Sequence, residues 1–171
     1  MICFAFFATL SQGQDINYSH KIEVEKIVFQ WQIDGKSIHI QLSAPTTGWV
    51  GIGFNPSDGM KDANIVLGYV KKGKVKVSDE FGTQRKQHKK DTRLGGAKNI
   101  TDINGTEKNG VTTISFTMPL DSGDAKDQPL AIDKDTYVLL AHGSGRDSFN
   151  SRHKVNAELN VNLKTGKYSQ Q

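Results

Sequence analysis

From Ile27 to Leu42 an apolar residue falls at almost every second position. Ile27, Phe29, Trp31 and Ile33 share one phase; after a turn at Asp34 and Gly35, Ile38, Ile40 and Leu42 continue it. Successive side chains of a strand point to opposite faces, so this rhythm buries one face of a hairpin and wets the other. The period returns in GWVGIGF (48–54), ANIVLGYV (63–70), KVKVSDEF (74–81), GVTTISFTM (110–118) and TYVLLAHG (136–143), with a hairpin turn at Asn109 and Gly110. It closes with Val155, Ala157, Leu159, Val161 and Leu163 set against Asn156, Glu158, Asn160 and Asn162. No segment keeps a 3.6-residue period over three turns. Nine or ten short strands with regular turns therefore predict an all-β, antiparallel sandwich or barrel. The polar stretch from Gln84 to Lys98 reads as a loop, and no linker or repeat divides the 171 residues.

The first residues, MICFAFFATLSQGQ, carry an apolar run from Ile2 to Leu10, then small and polar residues. That pattern reads as an export signal over residues 1–13, leaving 14–171 as one domain; a buried first strand is the alternative. No other run approaches the ~20 apolar residues of a membrane span. The single cysteine, Cys3, lies inside the expected signal. The mature chain then has no disulfide, thiolate metal site or covalent c-type haem attachment. The absence of cysteine suggests a bacterial exported protein, periplasmic or extracellular. A net charge of +4 gathers in VKKGKVK and QRKQHKKDTR. Such runs are solvated faces or surfaces for an acidic partner. No aromatic residues interleave these lysines as stacking platforms, which argues against nucleic acid.

Phosphate-binding glycine loops and zinc-protease helices are missing, and no spacing singles out a Ser, His, Asp triad. The chain is therefore expected to have no catalytic site of its own. Met60 is the unusual residue: a thioether, at home in cores, set in a turn rich in Gly, Asp and Lys. His20, His39 and His88 read as surface residues. His142 and His153 differ, because they flank the loop GSGRDSFNSR between two strands, a position that often carries binding residues.

Taken in order, Trp31 in the first hairpin, GWVGIGF, GMKDANIVLGYV, VSDEF, Asp91, ISFTMPL, YVLLAHG, a loop with His153 and a closing strand before KTG resemble the DOMON superfamily. The nearest likeness is to its haem-binding cytochrome branch, exemplified by the cytochrome domain of cellobiose dehydrogenase. The resemblance spans nearly all of the chain after residue 25. It implies an immunoglobulin-like two-sheet β-sandwich holding one noncovalent haem b, with Met60 and His153 as axial ligands and electron transfer as the role. Trp49, Ile52, Phe54, Val66 and Tyr69 are the candidate haem wall, though each also suits a sandwich core. His142 or Lys154 could replace His153. Haem iron accepts thioether and imidazole, and with both axial positions filled it favours electron transfer over oxygen chemistry.

Flavin or membrane partners fused in many relatives are not encoded here, so the expected donor or acceptor is a separate redox protein or dehydrogenase, an acidic one where the lysine runs serve as its docking surface. Two alternatives stay open. One is a haem-free DOMON module holding a sugar or another small ligand on the aromatic residues, with Met60 as packing. The other is a copper ion held by Met60, His142 and His153.

Overall fold

The computed structural model describes residues 16–171. The expected signal over residues 1–13, with Cys3, lies outside the described residues. Twelve strands follow in order: β1 (His20–Val24), β2 (Ile27–Asp34), β3 (Ser37–Ala44), β4 (Val50–Phe54), β5 (Asn64–Lys71), β6 (Lys74–Gln84), β7 (Gln87–Lys90), β8 (Thr101–Lys108), β9 (Val111–Pro119), β10 (Asp135–Gly143), β11 (His153–Asn162) and β12 (Tyr168–Gln170). Among the described residues one 3-10 turn is found, Asp91–Arg93, directly after β7. The strands form two antiparallel sheets, ordered β1-β2-β3-β9-β8 and β12-β11-β10-β4-β5-β6-β7.

The expected count of nine or ten strands is too low, and the expected loop over Gln84–Lys98 contains β7 and the 3-10 turn. The four strands that end the two sheets, β1, β8, β12 and β7, explain most of the shortfall. An edge strand is covered on fewer sides, and β7 (QHKK), β8 (TDINGTEK) and β12 (YSQ) carry almost no apolar alternation.

The hairpin turns follow local chemistry. Glu25 and Lys26, Lys72 and Gly73, and Asn109 and Gly110 each have positive φ at both central positions, the geometry whose twist matches right-handed strands. Between the sheets Phe29 and Trp31 stack at 4.5 Å, with Ile40, Ile52, Phe54, Val66, Phe116 and Leu140 around them. Trp31 also donates its indole N–H to the carbonyl of Leu163 at 2.8 Å, which ties β2 of one sheet to the end of β11 in the other.

The crossover from β3 to β4 is fixed by Thr46. Its hydroxyl donates to the Gly143 carbonyl at 2.7 Å and accepts from Gly48 N–H at 3.0 Å, while its carbonyl accepts from Thr112 at 2.8 Å. This buried knot sets where Trp49 enters the larger sheet.

Candidate functional site on the outer face of the larger sheet

Two apolar clusters lie on opposite faces of the seven-stranded sheet. Val50, Ile52, Phe54, Val66 and Val70 point inward, into the core. Trp49, Ala63, Ile65, Leu67 and Tyr69 form a second cluster on the outer face, with Met60, Ala141 and Phe149 packed against it. An outer face of a sandwich normally meets water, yet Trp49 is only 5% exposed and Tyr69 8%. Their cover is the loop after β10, whose Phe149 ring sits 4.8 Å from Tyr69. Trp49 also donates its indole N–H to Ser151 Oγ at 2.9 Å.

The five wall candidates are thereby divided. Trp49 and Tyr69 share the face of Met60; Ile52, Phe54 and Val66 belong to the inter-sheet core on the opposite face. The reason is the period of two: residues 65, 67 and 69 of β5 point one way and 66 and 70 the other. Ile65, Leu67 and Phe149 belong to the same outer-face cluster and were not among the sequence candidates; the first two were legible as the opposite phase of the same strand.

Met60 is held by a tight loop. Its N–H donates to the Arg85 carbonyl at 3.0 Å and its carbonyl accepts from Ala63 N–H at 3.1 Å. Gly59 and Asp62 on either side have φ of 59° and 62°. Arg85 closes the loop from outside through a 2.6 Å ion pair with Asp58. The approach to β6 is so close that a Cβ on Gly82 would stand 1.5 Å from the Met60 carbonyl oxygen.

The two flanking histidines are separated by a β-bulge. His142 continues the inward phase of Val138 and Leu140, is buried, and has Nδ1 2.9 Å from the Gly143 carbonyl oxygen. It faces a cleft of about 240 Å³ lined by Pro45, Thr46, Gly143 and Lys154 among others. That is smaller than the roughly 300–1,000 Å³ of most ligand sites. Strict alternation would put His153 in the same inward phase, with Val155. The register shifts between His142 and Gly143, so His142 faces Val155 while Gly143 faces His153. Residues opposite each other across antiparallel strands share a face, and a bulge re-aims the next side chain. Gly143 belongs to the Trp49 face, since a Cβ there would lie 2.5 Å from Trp49 Nε1. His153 is thereby turned to the side of Trp49 and is exposed, and His142 lies on the other.

His88, read from sequence as a surface residue, pairs instead with Glu80. The side chain is mostly covered and Nδ1 contacts Glu80 Oε2, while Ser78 donates to Glu80 Oε1 at 2.6 Å. Glu80 and Ser78 lie opposite Ile65 and Leu67, so this buried polar chain borders the Met60 face. Burial alone would raise the Glu80 carboxyl; hydrogen bonds from His88 and Ser78, with the charges of His88 and Lys90, outweigh it and hold the group below the ordinary range. The signal was Ser78 and Glu80 standing in one phase of KVKVSDEF with a histidine on the neighbouring strand.

The architecture is that of a class of antiparallel sandwiches already seen in solved cytochrome domains. It matches the cytochrome b domain of pyranose dehydrogenase from Coprinopsis cinerea with a TM-score of 0.67, over 89% of this chain and 85% of that one, at 14% identity. The cytochrome domain of Myriococcum thermophilum cellobiose dehydrogenase gives 0.57 over 86% and 83%, at 10% identity. At such identities the likeness is one of fold.

The chain itself belongs to the DOMON domain family, whose profile matches residues 23–143. By sequence it is 29% identical over 137 residues to DBH-like monooxygenase protein 1 of Homo sapiens, covering 78% of this chain and 22% of that protein. It is 30% identical over 117 residues to MOXD1 homolog 2 of Drosophila melanogaster, covering 64% and 14%. The chain thus spans about a fifth or less of the curated relatives it matches. Among the described residues no helix is long and apolar enough to cross a membrane.

Proposed function

We propose that this DOMON domain is an exported b-type cytochrome domain that holds one noncovalent haem through Met60 and His153 and passes single electrons to a redox protein or dehydrogenase. The observation that carries the reading is the bulge in β11, which turns His153 toward the face where Met60 meets Trp49 and Tyr69. Thioether and imidazole suit haem iron, and the surrounding Trp49, Ile65, Leu67, Tyr69 and Phe149 offer the apolar wall a porphyrin needs. Bound haem would supply one-electron chemistry, with thioether ligation tending to raise its potential.

The protein's own residues have four tasks. The tight loop around Met60 fixes the sulfur. The aromatic cluster excludes water. The loop from Ser144 to Arg152 opens and recloses, because Phe149 now lies on Tyr69 and must leave it to admit a planar ligand. Exposed Lys71, Lys72, Lys74, Lys89 and Lys90 supply a positive surface that steers an acidic partner.

The closed contact of Phe149 on Tyr69 favours one second reading, a haem-free module that stacks a sugar or similar ligand on the same aromatics. Absorption spectra of oxidised and reduced protein after haem addition separate the two. Low-spin bands are expected in the parent. His153→Ala should lose most of its haem, Met60→Ala should keep it in a high-spin form at lower potential, and His142→Ala should match the parent. A parent that takes up no haem leaves the haem-free module; bands lost in His142→Ala but kept in His153→Ala assign the wrong histidine.

A further inference from the structure

Val75 and Val77 of β6 point into the core, and the next residue of that phase is Asp79, a carboxylate where an apolar side chain is due. It does not stand alone. One carboxylate oxygen each from Asp79, Asp91 and Asp127 lie within 4.8 Å of one another, drawn from β6, the 3-10 turn and the loop between β9 and β10. Asp91 has no measurable exposure, and neither of its oxygens has a hydrogen-bond partner. The Oδ1 atom of Asp127 is likewise buried and unpartnered.

The surroundings orient these groups and offset their charge only in part, through Lys98 acting on Asp79. The backbone N–H of Asn99 donates to Asp79 Oδ2 at 2.8 Å, and its side-chain amide donates to Asp127 Oδ2 at 2.6 Å. Ser122 donates to the same Asp127 oxygen at 2.7 Å. These hydrogen bonds fix the orientation of Asp79 and Asp127, as the supporting shell of a metal site does. Among the described residues no lysine, arginine or histidine forms an ion pair with the three carboxylates; the nearby Lys126 instead lies over the Phe81 ring at 5.3 Å.

We infer that Asp79, Asp91 and Asp127 form a calcium site that clamps β6, the 3-10 turn and the β9–β10 loop together. Three oxygens mutually within 4.8 Å share a centre no more than about 2.8 Å from each, so a shift of a few tenths of an ångström brings all three to the roughly 2.3–2.6 Å that calcium takes. An all-oxygen set selects a hard cation over zinc or copper. Three carboxylates meeting one divalent ion leave a single negative charge in place of three crowded ones. The mutual cost of those charges is visible in the acidities: burial, with the charges of Asp79, Asp127 and Asp124, pushes the Asp91 carboxyl up to about 8. Burial also lifts Asp79 to about 6, against the Asn99 hydrogen bond. Calcium is abundant where exported proteins work, and modest affinity suffices there. The site is on the opposite side of β6 from Ser78 and Glu80, so it owes nothing to the haem reading.

The test is thermal unfolding of the full chain by circular dichroism, after chelator treatment, with and without calcium at roughly 1–10 mM, the range that loads extracellular sites. Sodium and magnesium chloride serve as controls, and titration calorimetry gives the stoichiometry. One calcium per chain is expected. The midpoint should rise by roughly 5–10 °C when calcium is about a hundred times its dissociation constant. Asp127→Asn, at the half-buried member, should fold and lose both uptake and shift; Asp91→Asn should do the same. No uptake by the folded parent, an equal response to sodium, or calcium binding undiminished in Asp127→Asn would each overturn the site and leave the carboxylates sharing protons instead.

Discussion

Gly82→Ala tests whether the Met60 loop is clamped as tightly as its contacts imply. The added Cβ would lie 1.5 Å from the Met60 carbonyl oxygen and 2.6 Å from its carbonyl carbon. Ordinary contact begins near 3.4 Å, so the loop must retreat by about 2 Å. Three backbone hydrogen bonds stand in the way: Gly82 N–H to Ala63 at 2.9 Å, Asp62 N–H to Gly82 at 2.8 Å and Met60 N–H to Arg85 at 3.0 Å. At about 0.5–1.5 kcal/mol net for each, losing all three costs roughly 2–4 kcal/mol. For a domain of this size that lowers the melting temperature by roughly 5–15 °C. Gly53→Ala on β4 is the comparison, because its nearest neighbours would be 3.4 Å away, and it should change stability by less than about 1 kcal/mol. Thermal unfolding of both variants, with haem titration of each, gives the answer. If Gly82→Ala melts with the parent and binds haem with the parent's spectrum, the loop is not clamped and Met60 is not pre-positioned.

Trp49→Phe keeps the ring but removes the 2.9 Å bond to Ser151, at a cost of about 1 kcal/mol; amide exchange in residues 144–152 should quicken about fivefold, and unchanged exchange would free that loop from Trp49. Glu80 titrates in the folded protein below its ordinary value of 4.5, so its contribution is present above that value and is lost as pH falls through the folded-state pKa. Glu80→Gln should therefore be less stable than the parent near neutral pH and lose less on acidification. Urea midpoints measured against pH check this, and parallel curves for the two proteins would remove Glu80 from the acid response.

The alternation in residues 27–42 was enough to place β2 and β3, and the GWVGIGF and ANIVLGYV segments enough to place β4 and β5, because strand periodicity is a local property of the chain. The resemblance in motif order led to the right family and sandwich. It did not separate the two phases of β5. Val66 and Tyr69 were grouped as one wall although they lie on opposite faces, since an apolar run buried on both sides has no polar residues to mark its faces. His88 was misread for a different reason: its partner, Glu80, lies across a register that the lysine-rich sequence around it does not announce.

The sequence by itself determined that this chain makes an antiparallel sandwich, that two of its hairpins turn at Asp34–Gly35 and Asn109–Gly110, and that a methionine stands in a loop beside aromatic strands. Only the tertiary structure decided which face of the larger sheet that methionine joins, and that the two flanking histidines lie on different faces. A one-residue slip in the pairing of β10 with β11 moves His153 away from the phase its own strand would give it. The meeting of Asp79, Asp91 and Asp127 is of the same kind. Each reads alone as an ordinary acidic residue, and their shared burial arises because three segments far apart in sequence close on one point.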